Sequence, residues 1–201
     1  MNTLVDVLAP GYANWLTPDR VMSACGTCTL VRSNDCNLLV DCMGPWDRDK
    51  LIALLAERGL HCDDITHVVC THGHPDHIGN LNLFLKAKLH IVGFSVYEND
   101  SYTVHPFDEK VPYQIAPGIS VIATPGHTAT DASVLIQNAS QLGVVTISGD
   151  LFENERDLAD EQIWLQAGSE DPDSQRTNRT HVLNTSDYIV PGHGPMFKVA
   201  R

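Results

Sequence analysis

The run Thr71-His72-Gly73-His74-Pro75-Asp76-His77 sets three imidazoles and one carboxylate side by side, directly after the apolar stretch Ile65-Thr66-His67-Val68-Val69-Cys70. His72 and His74 alternate in an extended turn, so both rings reach one side and can grip one ion. Asp76 and His77 stand at the first turn of a helix continued by Ile78-Gly79-Asn80-Leu81-Asn82-Leu83 and can turn toward a second ion. Four side chains cannot complete two coordination spheres. The stretch therefore reads as half of a two-metal site.

Three later segments supply candidates for the other half. Ser120-Val121-Ile122-Ala123-Thr124 runs into Pro125-Gly126-His127, Leu142-Gly143-Val144-Val145-Thr146-Ile147-Ser148 into Gly149-Asp150, and Tyr188-Ile189-Val190 into Pro191-Gly192-His193-Gly194-Pro195. Each is a β-branched strand followed by glycine and then a metal-binding side chain. Glycine lets the backbone turn sharply and approach an ion, which predicts ligands projected from loops at one edge of the sheets.

These motifs, in this order, resemble the metallo-β-lactamase superfamily over nearly the whole chain. The resemblance implies that His72, His74 and His127 hold a first metal, Asp76, His77 and His193 a second, and that Asp150 bridges them. It implies a four-layer αβ/βα sandwich of the α+β class, whereas periodicity alone supports only mixed α and β. Asp41, closing the strand Asn37-Leu38-Leu39-Val40, matches the superfamily's first motif, a carboxylate that orients a ligand histidine from behind. Trp46 after Gly44-Pro45, Gly149-Asp150-Leu151-Phe152-Glu153 and Ser169-Glu170-Asp171-Pro172 are similar to one animal branch, which implies an endoribonuclease acting on histone pre-messenger RNA.

Two adjacent divalent ions, with zinc first and iron or manganese as alternatives, activate water and stabilise negative charge, so hydrolysis is the expected reaction class. Asp76 and Asp150 are the expected catalytic carboxylates. Asp150 stands where the resemblance puts a cysteine in many true β-lactamases, which argues against antibiotic hydrolysis. Competing readings are a glyoxalase II-like thioester hydrolase, a mononuclear iron sulfur oxygenase that leaves His77 and His193 unexplained, and a non-enzymatic metal-homeostasis or scaffold protein. Seven ligands with an open bridging position favour the enzyme, because structural zinc is normally closed by four.

The 201 residues, 43% of them hydrophobic, suit one domain spanning 1–201, which can also be the catalytic part of a longer chain. No apolar run reaches the roughly 18 residues of a membrane span, and the first residues lack a secretory signal, so an intracellular place, cytoplasmic or nuclear, is expected without a membrane partner. Cys25, Cys28, Cys36, Cys42, Cys62 and Cys70 read as reduced, mostly buried thiols rather than a disulfide framework. The net charge of −12 argues against a broadly basic nucleic-acid face. A local basic patch of Arg176, Arg179 and His181 is the expected RNA contact, with His105 as a further substrate-binding candidate and a homodimer as a compatible assembly.

Along the chain, residues 2–8 and 27–32 read as strands separated by the turn-rich loop Pro10-Gly11-Tyr12-Ala13-Asn14-Trp15. A helix follows, capped by Asp47, with Leu51, Leu54 and Leu55 on one face and Gly59 as its stop. Strands are expected at 65–70 and 89–92, with His67 and His90 as packed structural histidines. Residues 94–113 read as a long loop walling the substrate site. After Asp150, helices are expected around Leu158 to Leu165 and from Asp171-Pro172 onward.

Overall fold

The structure, a computed structural model, describes residues 3–17, 20–34 and 36–200. The chain opens with β1 (Leu4–Ala9), then β2 (Tyr12–Thr17), β3 (Val21–Cys25), β4 (Cys28–Ser33) and β5 (Cys36–Val40). α1 (Arg48–Glu57) leads to β6 (His67–Cys70), and α2 (Pro75–Ile78) to β7 (Leu89–Val92), β8 (Ser95–Glu98) and β9 (Ser101–Thr103). β10 (Tyr113–Ala116), β11 (Ile119–Ala123), β12 (Ala132–Ala139) and β13 (Gly143–Gly149) follow. α3 (Gln162–Gln166) and α4 (Pro172–Thr185) then precede β14 (Tyr188–Pro191) and β15 (Phe197–Lys198).

One sheet has the order β1-β4-β5-β6-β7-β8-β9 and a second β10-β11-β12-β13-β14-β15, with β2 and β3 forming a separate hairpin. Alternating side chains sort the layers. Leu38, Val40, Val69 and Ile91 from the first sheet meet Val121, Val134, Val145 and Val190 from the second in the central core. Leu39, Val68 and Cys70 point the other way and pack with Leu51 and Leu55 of α1. On the opposite outer face Ile189 and Phe197 pack with Phe152 and with Val182 of α4. Helix, sheet, sheet, helix is the four-layer α+β sandwich.

Strand direction places the site. β5, β6 and β7 are mutually parallel, as are β13 and β14, and β11 runs the same way as β13 because both are antiparallel to β12. Asp41, His72, His127, Asp150 and His193 each lie at or just past the carboxyl end of one of these strands. All five are therefore delivered to one edge of the sandwich.

Several local expectations are corrected. The stretch read as loop 10–15 is largely β2, paired with β3 in the register Tyr12↔Cys25 and Trp15↔Met22. Its strand character was hidden because the hairpin is exposed on both faces at Trp15 and Leu16 and shows no apolar alternation. The proposed loop 94–113 contains the β8–β9 hairpin, turned at Asn99 (φ 52°), and a 3₁₀ turn at Phe107–Glu109. The helix expected from 158 to 165 is split into a 3₁₀ segment, Glu155–Leu158, and α3, where Asp160 Oδ1 accepts from the Gln162 amide. The strand expected at 2–8 begins at Leu4, and residue 2 lies outside the described residues.

The stop at Gly59 and the start at Asp171-Pro172 hold, whereas Asp47 precedes α1 without a side-chain cap, its carboxylate accepting from Cys25 Sγ at 3.2 Å instead. Gly59 adopts φ 72°, and Asp171 accepts from the Ser174 amide before Pro172. All six cysteines are free and five are buried. Burial raises the thiol pKa of Cys28 well above the ordinary value, and that of Cys25 to about 11. Alkylation under denaturing, non-reducing conditions is expected to label six thiols by mass, and protection of any pair would contradict this. No helix among the described residues is long and apolar enough to cross a membrane.

Candidate metal centre

Two groups of ligand-type side chains meet at the sandwich edge. His72, His74, His127 and Asp150 form one, and Asp76, His77 and His193 the other. In the first, His74 Nδ1 lies 2.9 Å from His72 Nε2 and 3.1 Å from His127 Nε2, while Asp150 Oδ2 stands 3.5 and 3.4 Å from those two Nε2 atoms. The other side of Asp150 faces the second group, with Oδ1 3.2 Å from His77 Nε2. Asp150 Oδ2 is also 3.3 Å from His193 Nε2. Asp76 Oδ2 completes the rim at 3.9 Å from His77 Nε2 and 3.8 Å from His193 Nε2.

Hydrogen bonds behind the rings decide which nitrogen faces inward. His77 Nδ1 donates to Asp41 Oδ2 at 2.9 Å, and His193 Nδ1 to the carbonyls of Tyr12 and Cys25 at 3.1 Å each. Asp41 also accepts from the Thr71 amide at 2.7 Å and from its hydroxyl. That hydroxyl can in turn accept from His72 Nδ1 at 3.1 Å. These donors leave the Nε2 atoms of His72, His77 and His193 directed at the cluster. Asp41 itself adopts φ 56°, a left-handed backbone that a non-glycine residue takes at a cost and that aims its carboxylate under Thr71.

The residues fit divalent ions. His77 Nε2 and Asp150 Oδ1 are buried and 3.2 Å apart, yet neither has a hydrogen-bond partner. Orphaned buried polar atoms carry a penalty of about 1–3 kcal/mol unless something else satisfies them. Inter-ligand spacings of 2.9–3.5 Å also match the edge of about 3.3 Å expected for a tetrahedron with zinc–nitrogen bonds of about 2.0–2.1 Å. Gly192 is required here, because a Cβ at that position would collide with Asp150 Oδ1.

Protonation separates the two groups. Burial pushes His72 and His127 below the usual imidazole range, so both are neutral at pH 7. Burial opposes charge on His77 and His193 as well, but Asp150 outweighs it, raising His77 well above its ordinary value and His193 to about 9. Asp150 is held well below the carboxylate range by the facing histidines despite its burial. An ion entering the second group must displace protons that it does not meet in the first. Titrating apoprotein at pH 7 is expected to release protons mainly with the second ion, and second-site affinity should fall as pH drops below about 9. Equal proton release for both ions, measured in two buffers of different ionisation enthalpy, would contradict this order.

The family model described as Metallo-beta-lactamase superfamily matches residues 26–193. The chain belongs to the metallo-β-lactamase superfamily. It is 44% identical over 199 residues to Metallo-beta-lactamase domain-containing protein 1 of Xenopus laevis, covering 98% of this chain and 82% of that protein. The human protein of that name is 45% identical over 165 residues, 82% of this chain and 60% of its own length. The match thus spans under two thirds of the human relative. A solved structure described as a putative metallo-beta-lactamase from Thermotoga maritima shares the fold at TM-score 0.72 and 23% identity, covering 98% of this chain and 100% of that one. An N-acyl homoserine lactone hydrolase with product at its catalytic metal centre gives 0.69 at 18% identity, covering 96% and 94%. Membership makes the chain a hydrolase of a superfamily that binds divalent metals, and it carries a His/Asp cluster.

The structure brings together His72, His74, Asp76, His77, His127, Asp150 and His193, with Asp41 behind His77. It does not bring the three substrate-binding candidates to the cluster. Arg179 is buried in an ion pair with Asp157 at 2.7 Å and also donates to the Leu151 carbonyl, so its guanidinium serves the fold rather than a phosphate. Arg176 is held between Glu161 at 3.2 Å and Asp173 at 3.1 Å. His105 Nε2 lies 2.8 Å from the Val111 carbonyl and its ring packs on Phe107 and Tyr113. The expected basic patch therefore offers no free arginine pair.

Sequence reasoning gave no role to Glu153, which is buried among Asp150 and His193. Burial, followed by the charge of Asp150, raises its pKa well above the ordinary carboxylate value. Its place in the Gly149–Glu153 motif was the available signal.

Removing the support behind a ligand tests the arrangement. Asp41→Asn is expected to weaken metal binding at the second group about 10- to 100-fold, and at the first group less, because Asp41 reaches His72 only through the Thr71 hydroxyl. Competition with a chromophoric chelator measures both affinities, and an unchanged second affinity would contradict the role of Asp41.

Proposed function

We propose that the chain is a dinuclear metal-dependent hydrolase that cleaves phosphodiester bonds in single-stranded RNA. The observation that carries the dinuclear reading is Asp150, whose carboxylate lies between the two groups, with Oδ2 within 3.5 Å of His72 and His127 of the first and of His193 of the second, and Oδ1 3.2 Å from His77 of the second. Paired divalent ions supply an activated water and stabilise charge on the phosphoryl oxygens. The chain's own groups hold and orient. His72, His74 and His127 would carry one ion, Asp76, His77 and His193 the other, with Asp150 shared between them. Asp41 and the Tyr12 and Cys25 carbonyls fix the ring orientations. Asp76 stands on the rim, less buried than the other ligands of its group, where Oδ2 can accept a proton during attack.

RNA is favoured as substrate by what the resemblance of the Trp46, Gly149–Glu153 and Ser169–Pro172 motifs implies and by the two-ion arrangement that phosphodiester hydrolysis uses. A carboxylic ester or lactone substrate is the second reading, favoured by the likeness to the N-acyl homoserine lactone hydrolase. A panel of single-stranded RNA, a thioester, a lactone and a β-lactam with zinc- and manganese-loaded protein tests both. RNA cleavage at the highest kcat/KM is the expected outcome. Lactone turnover without RNA turnover would overturn the phosphodiesterase reading and leave the hydrolase standing.

A further inference from the structure

An open cavity of about 470 Å³ adjoins the second ligand group and is lined by Tyr12, Leu16, Met22, Trp46, Pro75 and Asp76 among others. None of the described lining residues is a lysine or arginine. Apart from Ser23 and Asp76 its described lining is apolar or aromatic, and Asp76 belongs to both the lining and the second ligand group. The part of a substrate that enters this groove meets no cationic side chain among the described lining residues.

Trp46 is the fixed feature of the groove. Its side is 64% exposed, which is unusual for tryptophan, yet its indole lies against the backbone of Gly44, where any Cβ would collide with the ring. The loop beneath it is tied to the metal-motif segment at three points. Asn80 Nδ2 donates to the carbonyls of Cys42 and Gly44 at 2.8 Å each, and the Gly79 amide donates to the Met43 carbonyl at 2.8 Å. Gly79 is pressed so closely on Pro45 that a Cβ there has no space. The opposite wall is equally anchored, because the Tyr12 carbonyl accepts from His193 and the Gly11 amide donates to Thr27. A large ring held from behind with an open face loses little freedom when a flat group lies on it.

We propose that Trp46 is a stacking platform for the nucleobase next to the bond being cleaved, and so a specificity-determining residue of the site. The choice of a nucleobase rests on the RNA reading above. Charge supports it. Both arginines expected to attract phosphate are held by carboxylates, so the affinity for RNA is assigned to the ions on phosphate and to base stacking, which every base can provide. Salt should weaken such binding far less than it weakens a typical basic nucleic-acid groove.

The test compares adenosine 5′-monophosphate with ribose 5-phosphate, which share the phosphate and sugar and differ in the base. Affinities for the zinc-loaded protein are measured by calorimetry, with metal content and thermal stability verified for each variant. The wild type is expected to prefer the nucleotide by about tenfold or more, Trp46→Phe to keep most of that preference, and Trp46→Leu to lose it while binding ribose 5-phosphate normally. Equal preference in wild type and Trp46→Leu, or no preference in the wild type, would overturn the platform. Cleavage of a short RNA by the wild type is scored in parallel. Cleaved RNA with no base preference sinks the platform alone, and a lost preference in Trp46→Leu without RNA cleavage sinks the phosphodiesterase reading while the platform stands.

Discussion

Asp150→Ala is expected to lower kcat/KM by more than about a thousandfold on every substrate the protein hydrolyses, and to lower the number of tightly held ions. The size follows from position. Asp150 is the one side chain within 3.5 Å of His72, His77, His127 and His193 together, and it is the only carboxylate among the described ligand atoms that faces both groups. Its removal takes one ligand from each ion and also the negative charge that offsets four closely packed imidazoles. Asp150→Asn keeps the shape and loses the charge, so it separates ligation from packing. Both variants should fall together in activity and in metal content by mass spectrometry. Full activity in Asp150→Asn would contradict the shared-ligand role.

Arg179→Ala is expected to cost about 3–5 kcal/mol of stability, because it leaves the buried Asp157 carboxylate without its cation. For a chain of this length that is a fall of about 6–20 °C in Tm. The guanidinium also lies 4.1 Å over the Phe152 ring and donates to the carbonyls of Leu151 and Asp157, so packing is lost with the charge. Thermal unfolding of Arg179→Ala, Asp157→Asn and the double variant measures the coupling. The double variant should recover part of the loss. An Arg179→Ala protein of unchanged Tm and weakened RNA binding would return this residue to the substrate surface.

The contrast between Asp150 and Arg179 shows what was legible in the sequence. The ligand residues could be read because chemistry restricts them to a few residue types, and glycine after a β-branched strand marks where the backbone turns toward the shared edge. Asp150 and His193 are separated by 43 positions, but each follows that same pattern. Arg179 carries the same charge whether it meets a phosphate or Asp157, and the deciding fact is its partner 22 positions away. The β2–β3 hairpin was illegible for a different reason. An exposed hairpin buries no alternating face, so Tyr12, Trp15 and Leu16 gave an aromatic loop signal rather than a strand signal. Glu153 was visible as a residue but not as a buried one, since only the fold brings it against Asp150 and His193. The four layers were readable from the family resemblance, whereas periodicity alone reached no further than mixed α and β.

Anomalous diffraction from crystals of the zinc-loaded protein tests the central claim most directly. Two peaks about 3.5–4 Å apart are expected, one against His72, His74 and His127, the other against His77 and His193, with Asp150 touching both. A single peak at full loading, or a second peak that leaves His77 and His193 without an ion, would contradict the account.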